Sequence, residues 1–273
     1  MISKTKQSPS KCRTLLKEVR SHIEELARET DKARFSAEMT AYLDSCARFH
    51  RYSPQNTWLI RLACPGATQV AGYHRWKQLG RYVKKGEKGI PILAPLKYKL
   101  DKDDPDSPEE VYGFRVVYVF DVSQTDGDPL PEEPEWRSLE VDEDLQARLL
   151  SFAEKRGIEV EFSDDLGEVQ GVSKGGIIIL AKTAGTKTLI HELAHELMHR
   201  DPEQPATPKP MRELEAEAVA YVVAKHFGLH GLASPNYIAL HGATSETISS
   251  HLDRIVFEAS SIIAALGRDV GSK

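Results

Sequence analysis

The residues with the clearest chemical potential in this sequence form the pattern His-Glu-x-x-His, at His191, Glu192 and His195. Two histidines four residues apart on a helix lie about one turn apart, so both imidazoles can bind the same metal ion. Glu192 then points toward that ion and can accept a proton from a water molecule activated there. The pattern predicts a catalytic metal site with His191 and His195 as ligands and Glu192 as the general base.

The third protein ligand is expected on the helix predicted over residues 212–227, which contains three closely spaced glutamates. Glu215 shares its helical face with apolar residues, so its carboxylate would be buried and would need a cation as its partner. Glu217 lies on a more polar face and is the alternative, whereas Glu213 fits a solvated surface position. We predict Glu215 as the third ligand. Two histidines and one glutamate most suit Zn²⁺, with Mn²⁺ as the alternative ion.

The remaining histidines of this half are weaker candidates. His199 follows on the same helical stripe, but the glycine turn and the spacing of a three-histidine zinc motif are absent. We therefore predict a structural role for His199 close to the ligands. His226, His230 and His241 could assist an oxyanion or lie on the surface, and they are left unassigned.

The two halves of the chain carry opposite charge. Residues 1–100 contain 20 Lys/Arg against 8 Asp/Glu, a net of +12, whereas residues 126–273 contain 14 against 26, a net of −12. The formal net charge of the whole chain is −5, which hides this division. The division predicts two modules with different partners, and a polyanion is the expected partner of the basic module.

Basic and aromatic residues interleave in the first half, a composition typical of proteins that bind single-stranded nucleic acid. Cations follow the phosphate chain while exposed rings stack on unpaired bases. Some of these residues also fit a structural role, since Trp76 is in helical register with Tyr73 and Leu79 and is predicted to lie in a core. The candidate DNA-binding residues are Arg51, Tyr52, Arg75, Lys77, Arg81, Tyr82, Lys84, Lys85 and Lys88.

Hydrophobic periodicity predicts the elements that carry these residues. Alternating apolar residues predict a long β-hairpin over residues 90–100 and 111–122, and a short helix is expected around Trp76. Two further strands are expected near residues 169–173 and 176–181. Helical spacing predicts helices within residues 11–50, 53–60, 142–156, 187–200, 212–227 and 245–266.

These elements indicate an α+β protein with two domains. We expect a single-stranded-DNA-binding domain over residues 10–122, a linker rich in proline and acidic residues over 123–137, and a metal-binding domain over 138–268. The N-terminus lacks the apolar core of a secretory signal, and the longest apolar run is far too short to span a membrane. Because the three cysteines are odd in number and show no metal-type spacing, we expect free thiols in a cytoplasmic protein.

Two stretches of the sequence resemble known families. Residues 52–60 and 67–95 resemble the N-terminal domain of ArdC-type antirestriction proteins. The segment with His191, Glu192 and His195, together with Glu215 on the following helix, resembles the ImmA/IrrE-like zincin peptidase domains that are often fused to it. In that family the third ligand is a glutamate followed by alanine, which fits Glu215 and also Glu217.

The resemblance implies binding of single-stranded DNA, a divalent metal site and a role on mobile or incoming DNA. We therefore expect a single-stranded-DNA-binding antirestriction protein with a zinc-dependent metallopeptidase-like domain that acts on a protein substrate. The alternative is a DNA-binding protein whose metal domain is structural or regulatory and does not turn over. Glu192 favours the enzyme, because a purely structural site has no need of a base.

Overall fold

The structure is a computed structural model that describes residues 9–99, 109–129, 143–200, 207–229, 232–233, 235 and 237–267. Helices and three small sheets make it an α+β protein, as predicted. The chain forms two compact units, which are described separately: the first contains Met1–Ile23 and Gln55–Pro131, and the second contains Glu24–Pro54 and Glu132–Lys273. Among the described residues, every helix is too short or too polar to cross a membrane.

Sixteen helices and strands follow one another along the described part of the chain. They are α1 (Pro9–Ala27), α2 (Lys32–Arg48), α3 (Pro54–Ala63), β1 (Val70–Gly72), α4 (Tyr73–Gln78), β2 (Arg81–Val83), β3 (Ile90–Lys99), β4 (Glu109–Asp121), β5 (Thr125–Gly127), α5 (Glu143–Lys155), β6 (Glu159–Ser163), β7 (Gly171–Ser173), β8 (Ile177–Ala181), α6 (Thr186–His199), α7 (Lys209–His226) and α8 (Ser245–Gly267). Short 3-10 helices occupy Val122–Gln124 and Tyr237–Leu240.

The predicted hairpin of the first unit is confirmed, because β3 and β4 pair in antiparallel register with Ile90 opposite Val119. The strand β1 pairs with the end of β4, which gives the sheet order β1-β4-β3. The register shifts between Leu96 and Lys97, so a bulge bends the hairpin toward its far end. Most of the acidic loop between the two strands, residues 100–108, lies outside the described residues.

The edge strand β3 is held by the side chain of Asn56 on α3. The Asn56 Nδ2 donates to the Leu93 carbonyl at 2.9 Å, and the Leu93 N–H donates to Asn56 Oδ1 at 2.8 Å. Both residues are buried, so this amide satisfies two backbone groups that would otherwise lack partners away from water. Trp76 is also buried, as predicted, and its indole N–H donates to the Phe120 carbonyl at 2.9 Å.

The predicted linker begins within folded structure. Thr125–Gly127 forms β5 and pairs with β2, which the sequence analysis did not identify as a strand. Arg81 fixes this pairing, because its Nε donates to Thr125 Oγ1 at 2.9 Å and its guanidinium also contacts the carbonyl of Asp128. The later part of the predicted linker, residues 130–137, lies outside the described residues.

The second unit contains α2, which the sequence analysis assigned to the DNA-binding domain. Tyr221 on α7 donates its hydroxyl to Asp44 Oδ1 on α2 at 2.8 Å, and His226 Nδ1 lies 3.0 Å from the Ala47 carbonyl. Asp31 begins α2 as its N-cap by accepting from two backbone N–H groups. The apolar stripe of α2 is buried, and its largest members are Phe35, Met39, Tyr42 and Leu43.

The small sheet of the second unit has the order β6-β8-β7, so β7 is an edge strand. The strands β7 and β8 were predicted, whereas β6 was not, because its acidic residues Glu159 and Glu161 leave only two apolar positions. The helix α7 is buried along most of its length, and α8 buries one face. This unit therefore provides the rigid helices and the strand edge on which the candidate site is built.

The amide of Asn56 makes a stability prediction for the first unit. Asn56→Ala leaves the Leu93 N–H and carbonyl unpaired, and each buried group without a partner costs about 1–3 kcal/mol. We expect the free energy of unfolding to fall by about 2 kcal/mol or more. Urea denaturation followed by tryptophan fluorescence reports on this unit, because Trp58 and Trp76 are buried in it. The exposed amide variant Gln78→Ala is the control, and an equal effect of both substitutions would contradict this role.

Candidate metal centre

The histidine pair is presented by α6, which the sequence predicted as a helix. Its apolar residues Leu189, Ile190 and Leu193 are fully buried, which turns His191 and His195 toward a cleft of about 620 Å³. The two Nε2 atoms lie 3.1 Å apart, with the ring centroids separated by 4.7 Å. The two imidazoles that were predicted to share one ion therefore lie side by side.

The carboxylate of Glu213, on α7, lies next to the two imidazoles. Its Oε2 lies 3.6 Å from His191 Nε2 and 3.5 Å from His195 Nε2. Ligand atoms of the three residues all lie within 4.8 Å of one another, which makes them a candidate metal-binding group within the described residues. Glu213 was interpreted from the sequence as a solvated surface residue, and its side chain is indeed half exposed.

Glu217, one helical turn after Glu213, lies on the Nδ1 side of His191. Its Oε2 is 3.3 Å from His191 Nδ1, the ring nitrogen on the side away from Glu213, and its other oxygen pairs with Lys187. Metal-binding histidines usually donate their second ring nitrogen to a carboxylate, which fixes the ring orientation and raises ligand basicity. The hydrogen bond with His191 and the charge of Lys187 lower the pKa of Glu217 to about 2. Glu217 therefore remains a carboxylate close to the Nδ1 side of His191.

Glu215, the predicted third ligand, does not face the histidine pair in this structure. Its carboxylate is completely buried, with Oε1 2.6 Å from His251 Nδ1 and 3.1 Å from Arg254 Nη1, and with Oε2 3.4 Å from His199 Nε2. The sequence argument that this carboxylate needs a cation is correct, but α8 supplies that cation as Arg254. The glutamate whose carboxylate faces the two imidazoles is Glu213, on the opposite side of the same helix.

Glu192 lies against the edge strand of the small sheet. Its side chain contacts Gly171 so closely that a Cβ there would meet the Glu192 Cγ at 2.9 Å. Burial raises the pKa of Glu192, although the neighbouring His191 and the backbone N–H of Ser173 favour the charged form. A carboxyl group with a raised pKa beside a metal-binding pair suits a general base, as the sequence predicted for this residue.

The strand that carries Gly171 and Ser173 is fixed to α6 by Glu196. This buried carboxylate accepts from the Ser173 hydroxyl at 2.6 Å and from the N–H groups of Gly175 and Gly176 at 2.8 and 2.6 Å. Glu196 follows His195 directly, so the metal-binding helix and the strand beside Glu192 are held by one side chain. The sequence analysis missed this role, since no spacing rule connects Glu196 with a turn some twenty residues earlier.

The pKa values of the two imidazoles shift in opposite directions. Burial alone would lower the pKa of His191, but the hydrogen bond with Glu217 raises it above the ordinary value. Burial lowers the pKa of His195, and the charges of His191 and Arg212 lower it further. A neutral imidazole is the form that binds metal, and the lowered pKa of His195 favours that form.

The other histidines have structural contacts. Burial lowers the pKa of His199 to about 4, and its ring lies between His195 and Glu215. His199 thus has the structural position predicted for it, next to one ligand. His226 contacts the ring of His50, His241 contacts Phe35, and His230 lies outside the described residues.

The residues fit a divalent metal ion. Two imidazole nitrogens and one carboxylate oxygen converge in an open cleft, and a second carboxylate lies 3.3 Å from His191 Nδ1. Such His₂Glu sets with an accessible remaining position are typical of catalytic zinc, whereas structural zinc sites are closed by four protein ligands. His191, His195 and Glu213 are therefore the residues that could hold such an ion.

The nine candidate DNA-binding residues are divided between the two units. Arg51 and Tyr52 belong to the second unit, and the other seven belong to the first. Arg81 and Lys84 are occupied by structural hydrogen bonds, since Lys84 Nζ donates to the Ser123 carbonyl at 3.0 Å. Tyr82 is 59% exposed, and the neighbouring helix α4 exposes Tyr73 to a similar extent, at 52%. The exposed cations that remain on these elements are Arg75, Lys77, Lys85 and Lys88.

Comparison with known proteins finds a family match for the first part of the chain. Residues 12–126 match the family of the N-terminal domain of anti-restriction factor ArdC. This segment is the one that the sequence analysis compared with ArdC-type proteins, so that part of the resemblance is confirmed. The match does not extend to the metal centre.

Further similarities cover more of the chain at lower identity. An uncharacterized protein of Bacillus anthracis, pXO2-81, is 27% identical over 98% of this chain, which spans about half (54%) of that protein's length. Two crystal structures of the antirestriction ArdC protein from the R388 plasmid are also similar. The metal-free structure has a TM-score of 0.49 at 19% identity over 80% of this chain and 85% of that one, and the Mn(II)-bound structure has 0.46 at 18% over 81% and 86%.

The geometry predicts which substitutions remove the metal. Glu213→Gln and His191→Ala each delete a proposed ligand and should abolish stoichiometric binding of Zn²⁺, whereas Glu192→Gln should retain it. Glu217→Gln should lower metal affinity about 10- to 100-fold, because it orients a ligand. Metal analysis and calorimetric titration of purified full-length variants measure these effects.

The matched control is Glu215→Gln, two residues from Glu213 on the same helix. It should bind metal fully if it remains folded, although the loss of a charge beside Arg254 lowers its stability. Full occupancy in Glu213→Gln combined with loss in folded Glu215→Gln would return the third ligand to the residue predicted from sequence.

Proposed function

We propose that this protein is a metal-dependent hydrolase of peptide bonds joined to a module that binds single-stranded DNA, with an antirestriction role on DNA that enters a cell or moves between cells. The observation that supports the enzymatic half is the approach of Glu213 to the two ring nitrogens of His191 and His195, next to Glu192. The match of residues 12–126 to the ArdC N-terminal domain supports the antirestriction half.

In this proposal Glu192 is the general base, and the edge strand β7 positions it. Glu192 can take a proton from an attacking water and return it to the leaving amine, because burial raises its pKa toward neutrality. The Ser173 N–H and Gly171 position this carboxylate from β7. A bound divalent cation would supply Lewis-acid chemistry by polarising the carbonyl and lowering the pKa of water.

A peptide is the substrate class best matched to the cleft. The strand β7 is the edge of its sheet and lines the cleft with Gly171, Val172 and Ser173. An extended peptide can pair its own N–H and carbonyl groups with such an edge, which aligns a scissile bond beside Glu192. The rival function, a metal domain with only a structural or regulatory role, requires neither the open cleft nor a base within it.

The peptidase proposal is tested with the full-length metal-loaded protein in a cellular extract, with and without added single-stranded DNA. New peptide termini should appear with the unaltered protein and should be reduced about 10²- to 10⁴-fold with Glu192→Gln, the range expected on loss of a general base. Both proteins must contain the same amount of metal. Equal sets of termini, or none with either protein, would favour the structural or regulatory role.

The DNA-binding half is assigned to the exposed side chains of α4, β2 and the turn that follows. Single strands should bind more tightly than duplex, because the exposed rings of Tyr73 and Tyr82 can stack only on unpaired bases. Replacing Arg75, Lys77, Lys85 and Lys88 together by glutamine should weaken binding and reduce the salt slope by about 0.7 per lost phosphate contact. Arg81 and Lys84 are left intact because they support the fold.

Fluorescence anisotropy with labelled single and double strands measures these changes in the full-length protein. The matched control replaces Lys155, Lys174 and Lys182 of the second unit, which alters charge to a similar extent outside this surface. Addition of chelator should leave DNA binding unchanged. Equal losses in both sets, or a requirement for metal, would contradict the assignment.

A further inference from the structure

The cleft at the candidate metal centre carries an excess of positive charge in its lining. Arg200 lies just after α6, and Lys209 and Arg212 come from the first part of α7. The acidic residues in the same lining are Glu192 and Glu213. The cleft is therefore lined by a group of basic side chains, in a half of the chain whose net charge is −12 over residues 126–273. The net charge of the cleft lining is therefore opposite in sign to the net charge of the sequence around it.

Within the described residues, the three basic side chains of the cleft are only weakly neutralised. Arg200 Nε lies 3.9 Å from Glu196 Oε2, but that carboxylate already accepts three shorter hydrogen bonds from β7 and the glycine turn. Lys209 and Arg212 form no ion pair with any of the residues that the structure describes. Glu213 is directed at the histidines, so a bound divalent cation would neutralise it and Glu192 together. The charge left over on the described lining of the cleft is positive.

Charge in a cleft selects substrates by complementarity, since a positive lining concentrates and orients anionic groups. We propose that this cleft takes acidic peptide segments, in which aspartate or glutamate side chains beside the scissile bond pair with Arg200, Lys209 and Arg212. The inference rests on the proposed peptidase function and names the substrate class of that site. A peptide is favoured over a nucleic acid because β7 offers backbone pairing, which a phosphodiester chain cannot use.

The test measures binding, so that it does not depend on turnover. Full-length Glu192→Gln protein loaded with Zn²⁺ is titrated with three labelled peptides of equal length. One is rich in Asp and Glu, the second has Asn and Gln at the same positions, and the third has Lys there. The acidic peptide should bind at least about tenfold more tightly than the amide peptide, which corresponds to about 1.4 kcal/mol. This preference should shrink as salt is added.

Variants locate the preference. Lys209→Gln combined with Arg212→Gln should remove most of the tenfold difference while metal occupancy is retained, which shows that the site remains folded. The matched control, Lys155→Gln with Lys182→Gln, changes the same charge outside the cleft and should leave the difference intact. After chelation the preference should weaken, because Glu213 is then no longer neutralised, but it should remain measurable, because the three basic side chains are still present. Its complete loss on chelation would assign it to the ion and overturn the proposal.

Other outcomes are equally decisive. Equal affinity for the three peptides, or an unchanged preference in the cleft variant, overturns the proposal. Displacement of the acidic peptide by a single-stranded oligonucleotide, combined with weaker displacement in the cleft variant, identifies a phosphodiester ligand instead. The proposed peptidase function and the proposed preference for acidic peptides can be contradicted independently of each other. Selective binding without Glu192-dependent cleavage contradicts the peptidase function, whereas cleavage that ignores acidic residues contradicts the charge preference alone.

Discussion

The candidate site depends on the match between two helices that present side chains at the same spacing. His191 and His195 lie four residues apart on α6, and Glu213 and Glu217 lie four residues apart on α7. Because four residues complete about one helical turn, each pair forms a single stripe, and the two stripes meet. Glu213 contacts the Nε2 side of His191 while Glu217 contacts its Nδ1 side. One imidazole therefore lies between two carboxylates of the same helix.

The same helical geometry explains why the third ligand was predicted at a different glutamate from the one that faces the histidines. Glu215 is rotated by about 200° from Glu213 around the helix axis, so the two carboxylates must face different neighbours. The sequence correctly indicated that Glu215 is buried among apolar residues and requires a cation. It could not indicate that α8, some forty residues later, supplies Arg254 and His251. The i,i+4 spacing of Glu213 and Glu217 was the available signal.

The predictions that held were those based on periodicity within one element. The β3–β4 hairpin, the buried Trp76 and the helix that bears the histidines follow from patterns that a single strand or helix imposes on its own sequence. The features that were missed depend on contacts between elements. They include β6, whose apolar residues are few, β2 and β5, which are held by Arg81, and the brace from Glu196 to the turn at Gly175 and Gly176. A sequence pattern therefore indicates which residues are buried more reliably than it indicates which residues they contact.

Charge provides a second level of organisation on which the two functional proposals depend. The first hundred residues are strongly basic, yet Arg81 and Lys84 are committed to hydrogen bonds within the fold, so composition overstates the charge available to a ligand. The second half is acidic overall, yet the cleft is lined by Arg200, Lys209 and Arg212. An acidic surround repels a polyanion at long range, whereas cations inside a cleft attract a short anionic segment at close range. We therefore expect the acidic second half to bind extended DNA poorly. Its basic cleft can still bind an acidic peptide.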